Sequence, residues 1–327
     1  MGKQYLFVTE MDGGSLIGTG HYHRTIGLIN YLIGSDKTIN IELYVLFNGV
    51  LNIEIDRVKI YTMTSFKNLF EHESENYNIY DIGYCDLISK SLNVETVFDL
   101  KFISKKTIII SDSMKVPKYE FDQFILTHPI HFNKKKSDKH LTGLTVSYTP
   151  SEFYDNAKKM QKNVKNVVIS FGGVDPFDVT SLAVNLVNQN SSGKKIYVLV
   201  GRYYKGREKL KNISAINGNS IQISQNIPDV ISLFRVADVA ITAGGNSLYE
   251  FMALAVPCFT IAQNEKQNAR CGILDDNGLV LHIGSYDCIN SKIKIINDIK
   301  TLSSVNSKLL AINCEQNLNK VSLLFGE

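Results

Sequence analysis

Short apolar runs rich in Val, Ile, Tyr and Phe recur along this chain, each followed by a stretch long enough for a helix. In the first half they fall at residues 5–9, 41–47, 58–63, 79–84, 107–111 and 123–127, and in the second at 166–171, 195–200, 220–224, 239–242 and 258–261. Strands this continuously apolar must be covered on both faces, which parallel sheets flanked by helices achieve. The pattern predicts an α/β protein of two Rossmann-like, doubly wound units in tandem. The polar, lysine-rich stretch "YDNAKKMQKNVK" (154–165) lies between them, so the expected domains are 1–155 and 156–327. Doubly wound sheets bind ligands outside the carboxyl ends of their strands. Functional residues are therefore expected just after strands, in both halves, with the two units facing each other across a cleft.

Several function classes are excluded early. Of the 327 residues 44% are hydrophobic and 20% charged, the balance of a soluble globular protein. The first apolar run, 5–8, is too short for a signal segment or a membrane span. A cytoplasmic protein without a transmembrane segment is expected. Cys85, Cys258, Cys271, Cys288 and Cys314 form no CxxC pair and are odd in number, which indicates neither a zinc knuckle nor a disulfide framework. A net charge of +3 is too small for a nucleic-acid binder. The patch of Lys134, Lys135, Lys136 and Lys139 has no interleaved aromatics to stack bases, and reads as a solvated loop.

Three glycine-bearing loops carry the candidate chemistry. The first, "VTEMDGGSLIGTGHYHR", places Gly13, Gly14, Gly18 and Gly20 between a strand and a helix beginning near His21. Such a loop allows close backbone approach, and a helix N-terminus offers free N–H groups to an anion. The spacing is not GxGxxG, and no acidic residue ends a second strand to hold a ribose, so a nicotinamide cofactor is poorly supported and none is expected. His21 and His23 are two apart and point to different sides of a helix, which does not suit a shared metal. His128 and His131 in "THPIH" are the residues that could complete one, but no metal site is expected. His21 alone is open to two readings, a helix-end residue making one hydrogen bond or a catalytic base.

The second loop, "ISFGGVDPFDVT", ends a strand at Gly172 and Gly173, with Asp175 suited to a helix N-cap and Pro176 to its first turn. In the third, "ADVAITAGGNSLYEFMALAVPCFTI", a strand ends in Gly244 and Gly245, Asn246 and Ser247 open a helix, and Glu250 lies one turn in. Amides and a hydroxyl there suit a pyrophosphate, and the carboxylate suits two ribose hydroxyls. An acidic residue early in a helix also complements the dipole with no ligand at all.

Taken together, "DGGSLIGTGHYHRTIGLINYL", "VVISFGGVDP", "NIPDVISLFRVADVAITAGGNSLYEFMALAVPC" and "NEKQNARCGILDDNG" resemble the PseG/SpsG group, the UDP-sugar hydrolases of pseudaminic acid biosynthesis and their spore-coat polysaccharide relatives. That group lies within the MurG-like GT-B superfamily. The resemblance covers roughly residues 5–35 and 166–280. It implies a GT-B fold and a UDP-sugar substrate whose nucleotide lies mainly on the second domain. Gly245, Asn246 and Ser247 would then serve the phosphates, Glu250 the ribose, and the backbone of residues 227–230 the base, with Gly172, Gly173 and Gly244 among the substrate- and nucleotide-binding residues. His21 matches the histidine of the group's GxGHxxR motif, thought to orient or deprotonate the attacking water, with Gly18, Gly20 and Arg24 of the same motif expected among the substrate-binding residues. Tyr84 is a looser candidate for a sugar contact.

Two positions depart from the group's pattern. Glu10 stands before Met11 and Asp12, where an Arg-x-Asp is usual, and counting back from Gly278 puts Lys266 and Gln267 at the usual Asn-Gln pair near the substrate, Lys266 as a catalytic and Gln267 as a substrate-binding candidate, with Asn264 or Asn268 alternatives if the alignment slips. The implied reaction is metal-independent, inverting release of UDP by water in nonulosonic acid or surface-polysaccharide synthesis, with other enzymes of the same sugar pathway as possible partners. The alternative is a GT-B glycosyltransferase with His21 acting on an acceptor hydroxyl. A non-catalytic nucleotide-sugar binder is the rival from another class.

Overall fold

A computed structural model of the chain describes residues 2–11, 20–48, 51, 53–65, 80–87, 100–111, 122–126, 140–142, 149–288 and 297–316. The chain forms two compact units that divide between Pro150 and Ser151.

The first unit contains β1 (Gln4–Glu10), α1 (Gly20–Ser35), β2 (Asn40–Leu46), β3 (Val58–Met63), β4 (Tyr80–Asp86), β5 (Ser104–Ser111), β6 (Gln123–Leu126) and β7 (His140–Thr142). They make one sheet in the order β3-β2-β1-β4-β5-β6-β7, every neighbouring pair parallel. Its central strands are buried on both faces, as their continuous apolar pattern requires: Tyr5, Leu6, Phe7 and Val8 on β1, Leu43, Tyr44 and Val45 on β2. Helix α1 buries Tyr22, Leu28, Ile29 and Leu32, a stripe at helical spacing.

The second unit opens with the short helix α2 (Ser151–Asp155), whose Phe153 and Tyr154 are buried. The lysine-rich composition of the stretch obscured these two anchors and placed the expected boundary after residue 155. There follow β8 (Asn166–Ser170), α3 (Val179–Asn190), β9 (Lys195–Val200), α4 (Arg207–Lys211), β10 (Ser220–Gln225), α5 (Val230–Phe234), β11 (Val239–Thr242), α6 (Asn246–Ala253), β12 (Cys258–Ala262), α7 (Glu265–Asp276), β13 (Leu281–Ser285) and α8 (Ile299–Gln316). The sheet order is β10-β9-β8-β11-β12-β13, again all parallel. Its core joins Val167, Ile169, Val184, Val198, Ile241, Phe259 and Ile261.

In each unit the chain winds outward from one central strand, then returns to wind the other way. The strand order reverses between β1 and β4, and between β8 and β11. At such a switch point the loops on either side part, leaving room at the carboxyl ends of the two strands. The loops singled out from the sequence follow β1, β8 and β11, three of these four strands.

Candidate active site

At the first switch point the last residue of β4, Asp86, meets the first turn of α1. Asp86 is fully buried. Its Oδ1 accepts from His21 Nδ1 at 2.7 Å and from Arg24 Nη2 at 2.5 Å, and its Oδ2 accepts from Arg24 Nε at 2.7 Å. Three residues apart, His21 and Arg24 share one helix face, and that face is turned to the end of β4. The parallel register pairs Thr9 with Asp86, so the carboxylate stands at the level where β1 ends and the glycine loop begins.

The electrostatics follow from this geometry. Burial by itself would raise the Asp86 carboxyl, yet the Arg24 and His21 charges and their hydrogen bonds outweigh it and hold the group down at about 2. An ionised Asp86 fixes the ring, because it demands a donor at Nδ1 and so leaves Nε2 as the basic nitrogen. The His21 side chain keeps 12% of its surface exposed. A carboxylate-oriented imidazole of this kind is equipped to take a proton from a hydroxyl or a water.

This arrangement revises two expectations. Tyr84, taken as a sugar contact following a strand, lies inside β4, fully buried, with its ring 4.9 Å from that of Phe7. The strand runs two residues farther than its apolar run suggests, and Asp86 occupies the place assigned to Tyr84. Arg24, expected among the substrate-binding residues, is buried and gives both faces of its fork to Asp86. His23 is exposed and lies edge-on to Tyr22 at 5.6 Å, apart from the Asp86 cluster. Gly20 opens α1, whereas Gly13, Gly14, Gly18, His128, His131, Lys134, Lys135, Lys136 and Lys139 lie outside the described residues. Asp86 was missed by the sequence reading; the available signal was a carboxylate closing an otherwise apolar strand.

In the second unit the loops after β8, β11 and β12 come together. Gly172 takes a φ of 80°, a left-handed turn that favours glycine. The N-cap position of α3 is Asp178 rather than the expected Asp175, but Asp175, also left-handed at 43°, reaches in to accept from the Val179 and Thr180 amides at 3.0 and 2.8 Å. That helix begins at Val179, after Pro176 rather than at it, because the loop makes an extra turn first. Gln263, just beyond β12, donates to Asp175 at 2.7 Å, tying the β8 and β12 loops together. Gly173 is closely approached by another backbone: a Cβ on Gly201, beside it in space, would lie 2.3 Å from its Cα.

Helix α6 starts after the short turn Ala243, Gly244 and Gly245 that follows β11, with Gly245 as its N-cap and no side chain capping it. Gly244 is confined, since a Cβ there would lie 2.9 Å from Cys271 Sγ, while a Cβ on Gly245 would meet nothing within 4 Å. Asn246 and Ser247 form the first turn, half-buried. Burial pushes the Glu250 carboxyl up to about 7, against the pull of a hydrogen bond from Ser247. At the head of α7 the cap is Asn264, which accepts from the Gln267 amide at 3.0 Å. Gln267 turns its own side chain back to accept from Gln263 N at 2.9 Å, and Asn268 lies 2.8 Å from His282 Nε2. Lys266 is exposed in the first turn of this helix. Asp229, in the segment expected to hold the base, caps α5 by accepting from Ser232 N.

Among the described residues no three His, Cys, Asp or Glu side chains gather as a metal would require. Cys85, Cys258 and Cys271 are buried free thiols and Cys288 is exposed. No described helix is long and apolar enough to cross a membrane.

No protein-family model matches the chain. It is similar to the uncharacterized protein MJ1062 of Methanocaldococcus jannaschii, 24% identical over 275 residues that cover 78% of this chain and 55% of that protein. It is also similar to the spore coat polysaccharide biosynthesis protein SpsG of Bacillus subtilis, 26% identical over 152 residues, 46% of this chain and 44% of that one. The matches thus span about half the length of these curated relatives. Among solved structures, MurG of Acinetobacter baumannii superposes with a TM-score of 0.66 at 13% identity, over 94% of this chain and 95% of that one. HepE of Anabaena in complex with UDP-glucose gives 0.59 at 12% identity, over 98% and 96%. The fold is that of the GT-B glycosyltransferases, two doubly wound parallel-sheet units in one chain.

Proposed function

We propose that this protein acts on a nucleotide sugar, releasing UDP from a UDP-sugar by inverting attack of water at the anomeric carbon. The observation that carries the reading is His21 held through Nδ1 by the buried, ionised Asp86. In this scheme Nε2 accepts a proton from the attacking water as its oxygen bonds to the anomeric carbon. The bond from that carbon to the diphosphate oxygen breaks, and the electron pair leaves with UDP. The diphosphate is a weakly basic leaving group, and the amides heading α6 receive its charge. Ser247 and Glu250 serve the nucleotide, with the carboxylate on the ribose hydroxyls.

The likeness to SpsG supports a role in polysaccharide synthesis, and the likeness to HepE supports a UDP-sugar. Transfer to an acceptor hydroxyl is the second reading, favoured by the GT-B glycosyltransferase fold. Assaying UDP release from UDP-, CMP- and GDP-sugars, with and without acceptors and chelator, separates the two. Chelator-insensitive release from a UDP-sugar in water alone is the expected result. Release only with an acceptor establishes the transferase, and binding without any release establishes a non-catalytic binder.

A further inference from the structure

The side chain of Arg270, on α7, is 9% exposed. Its Nη1 donates to the Gly244 carbonyl oxygen at 2.6 Å, its guanidinium carbon lies 6.0 Å from the centre of the Tyr249 ring, and its Nε is buried without an acceptor. No carboxylate pairs with it among the described residues. A guanidinium buried this deeply without a counter-ion is costly, and such groups are retained where their charge or their donors serve a ligand.

The bond to Gly244 has a directional consequence. The Gly244 carbonyl and the Gly245 N–H belong to one peptide unit, and no described peptide is cis. In a trans unit the two groups point in opposite directions. With the carbonyl held inward by Arg270, the Gly245 N–H is aimed outward, where a Cβ on Gly245 would meet nothing within 4 Å. Among the described residues that N–H has no acceptor. Gly244 is pressed against Cys271 and Gln267 of the same helix α7, so the peptide has little room to flip.

We propose that Arg270 is a positioning residue for diphosphate recognition: it locks the Gly244–Gly245 peptide so that the Gly245 amide presents to a phosphate oxygen at the head of α6. The guanidinium adds positive charge behind that amide without touching the ligand. This rests on the nucleotide-sugar reading and assigns how the second unit distinguishes a nucleoside diphosphate from the bare nucleoside.

Calorimetry of UDP and of uridine with the wild type, Arg270→Met and Arg270→Lys tests it. Arg270→Met is expected to weaken UDP by about tenfold, the worth of one charge-assisted hydrogen bond. Uridine affinity is expected to stay within twofold. Arg270→Lys, which keeps a cationic donor, is expected to recover most of the UDP affinity. Equal weakening of both ligands, no weakening of UDP, or identical behaviour of Met and Lys overturns the proposal. Should Arg270→Met fail to fold, the wild type decides: addition of inorganic diphosphate must shift the Gly245 amide resonance downfield, and a stationary resonance in a protein that binds UDP overturns this assignment alone. A wild type that binds neither UDP nor diphosphate overturns the nucleotide reading, and this inference with it.

Discussion

His21 Nδ1 lies 2.7 Å from Asp86 Oδ1, joining the first turn of α1 to the last residue of β4 across 65 positions of sequence. Replacing Asp86 by Asn keeps the shape and removes the charge that fixes the ring. The amide no longer enforces a donor at Nδ1, and Arg24 loses its buried counter-ion. Turnover of Asp86→Asn is expected to fall on the order of 10²–10⁴-fold, as when an orienting carboxylate is neutralised. UDP affinity, which the proposal assigns to the second unit, is expected to remain. Steady-state kinetics beside calorimetry check the split.

The same pair predicts an acid limb in stability. The Asp86 carboxyl is held at about 2, below its usual 3.8. A depressed carboxyl contributes stability that is complete above its unfolded value and drains away as pH falls through the folded one. The window here therefore runs from 3.8 down to 2. The gap corresponds to about 2 kcal/mol. Urea unfolding of wild type and Asp86→Asn at pH 6 and pH 2 should show the difference between them shrinking by about that amount on acidification. A pH-independent difference contradicts it.

Glu250 carries the opposite sign. Burial lifts its carboxyl from 4.5 to about 7, so ionising it in the folded state costs free energy. That cost is absent below 4.5, grows as pH rises, and is complete above 7. Glu250→Gln is expected to stabilise the protein by up to about 3 kcal/mol at pH 8 and not at all at pH 4. If the carboxylate serves a ribose, the same change weakens uridine binding. Thermal melts across pH and uridine titrations check the two halves, and a variant that loses stability at pH 8 is inconsistent with a strained carboxylate.

The two glycines before α6 are predicted to behave differently. Gly244→Ala puts a Cβ 2.9 Å from Cys271 Sγ, an overpacking expected to cost about 1–3 kcal/mol. Gly245→Ala meets open space and is expected to cost under about 1 kcal/mol. Chemical denaturation of both variants measures the gap, and equal costs would contradict the confinement of Gly244.

Much of this fold is legible because its central strands are apolar throughout, a pattern a one-sided sheet does not produce. One edge of each sheet escapes that reading. β7 is only "HLT", and β13 reads "LHIGS", with His282 and Gly284 interrupting the run. His21 stood out because it sits in a motif. Asp86 did not, because its partners lie on another element and only the strand order brings them together. Tyr84 was the nearest guess, and the two extra residues of β4 separate it from the carboxylate that meets His21. In the second unit the spacing of Gly244 and Gly245 before a helix, and of Asn246, Ser247 and Glu250 on it, was readable. The burial of Arg270 against that loop belongs to packing and could not be read from the chain alone.

His21→Ala tests the central claim most directly, because His21 is partly exposed and its removal leaves Asp86 paired with Arg24. The measurement is UDP release from the best UDP-sugar in water, beside UDP affinity by calorimetry. A loss of on the order of 10²-fold or more in release, with UDP affinity within twofold of wild type, is the predicted result. Release at the wild-type rate would contradict the assignment of His21 as the base.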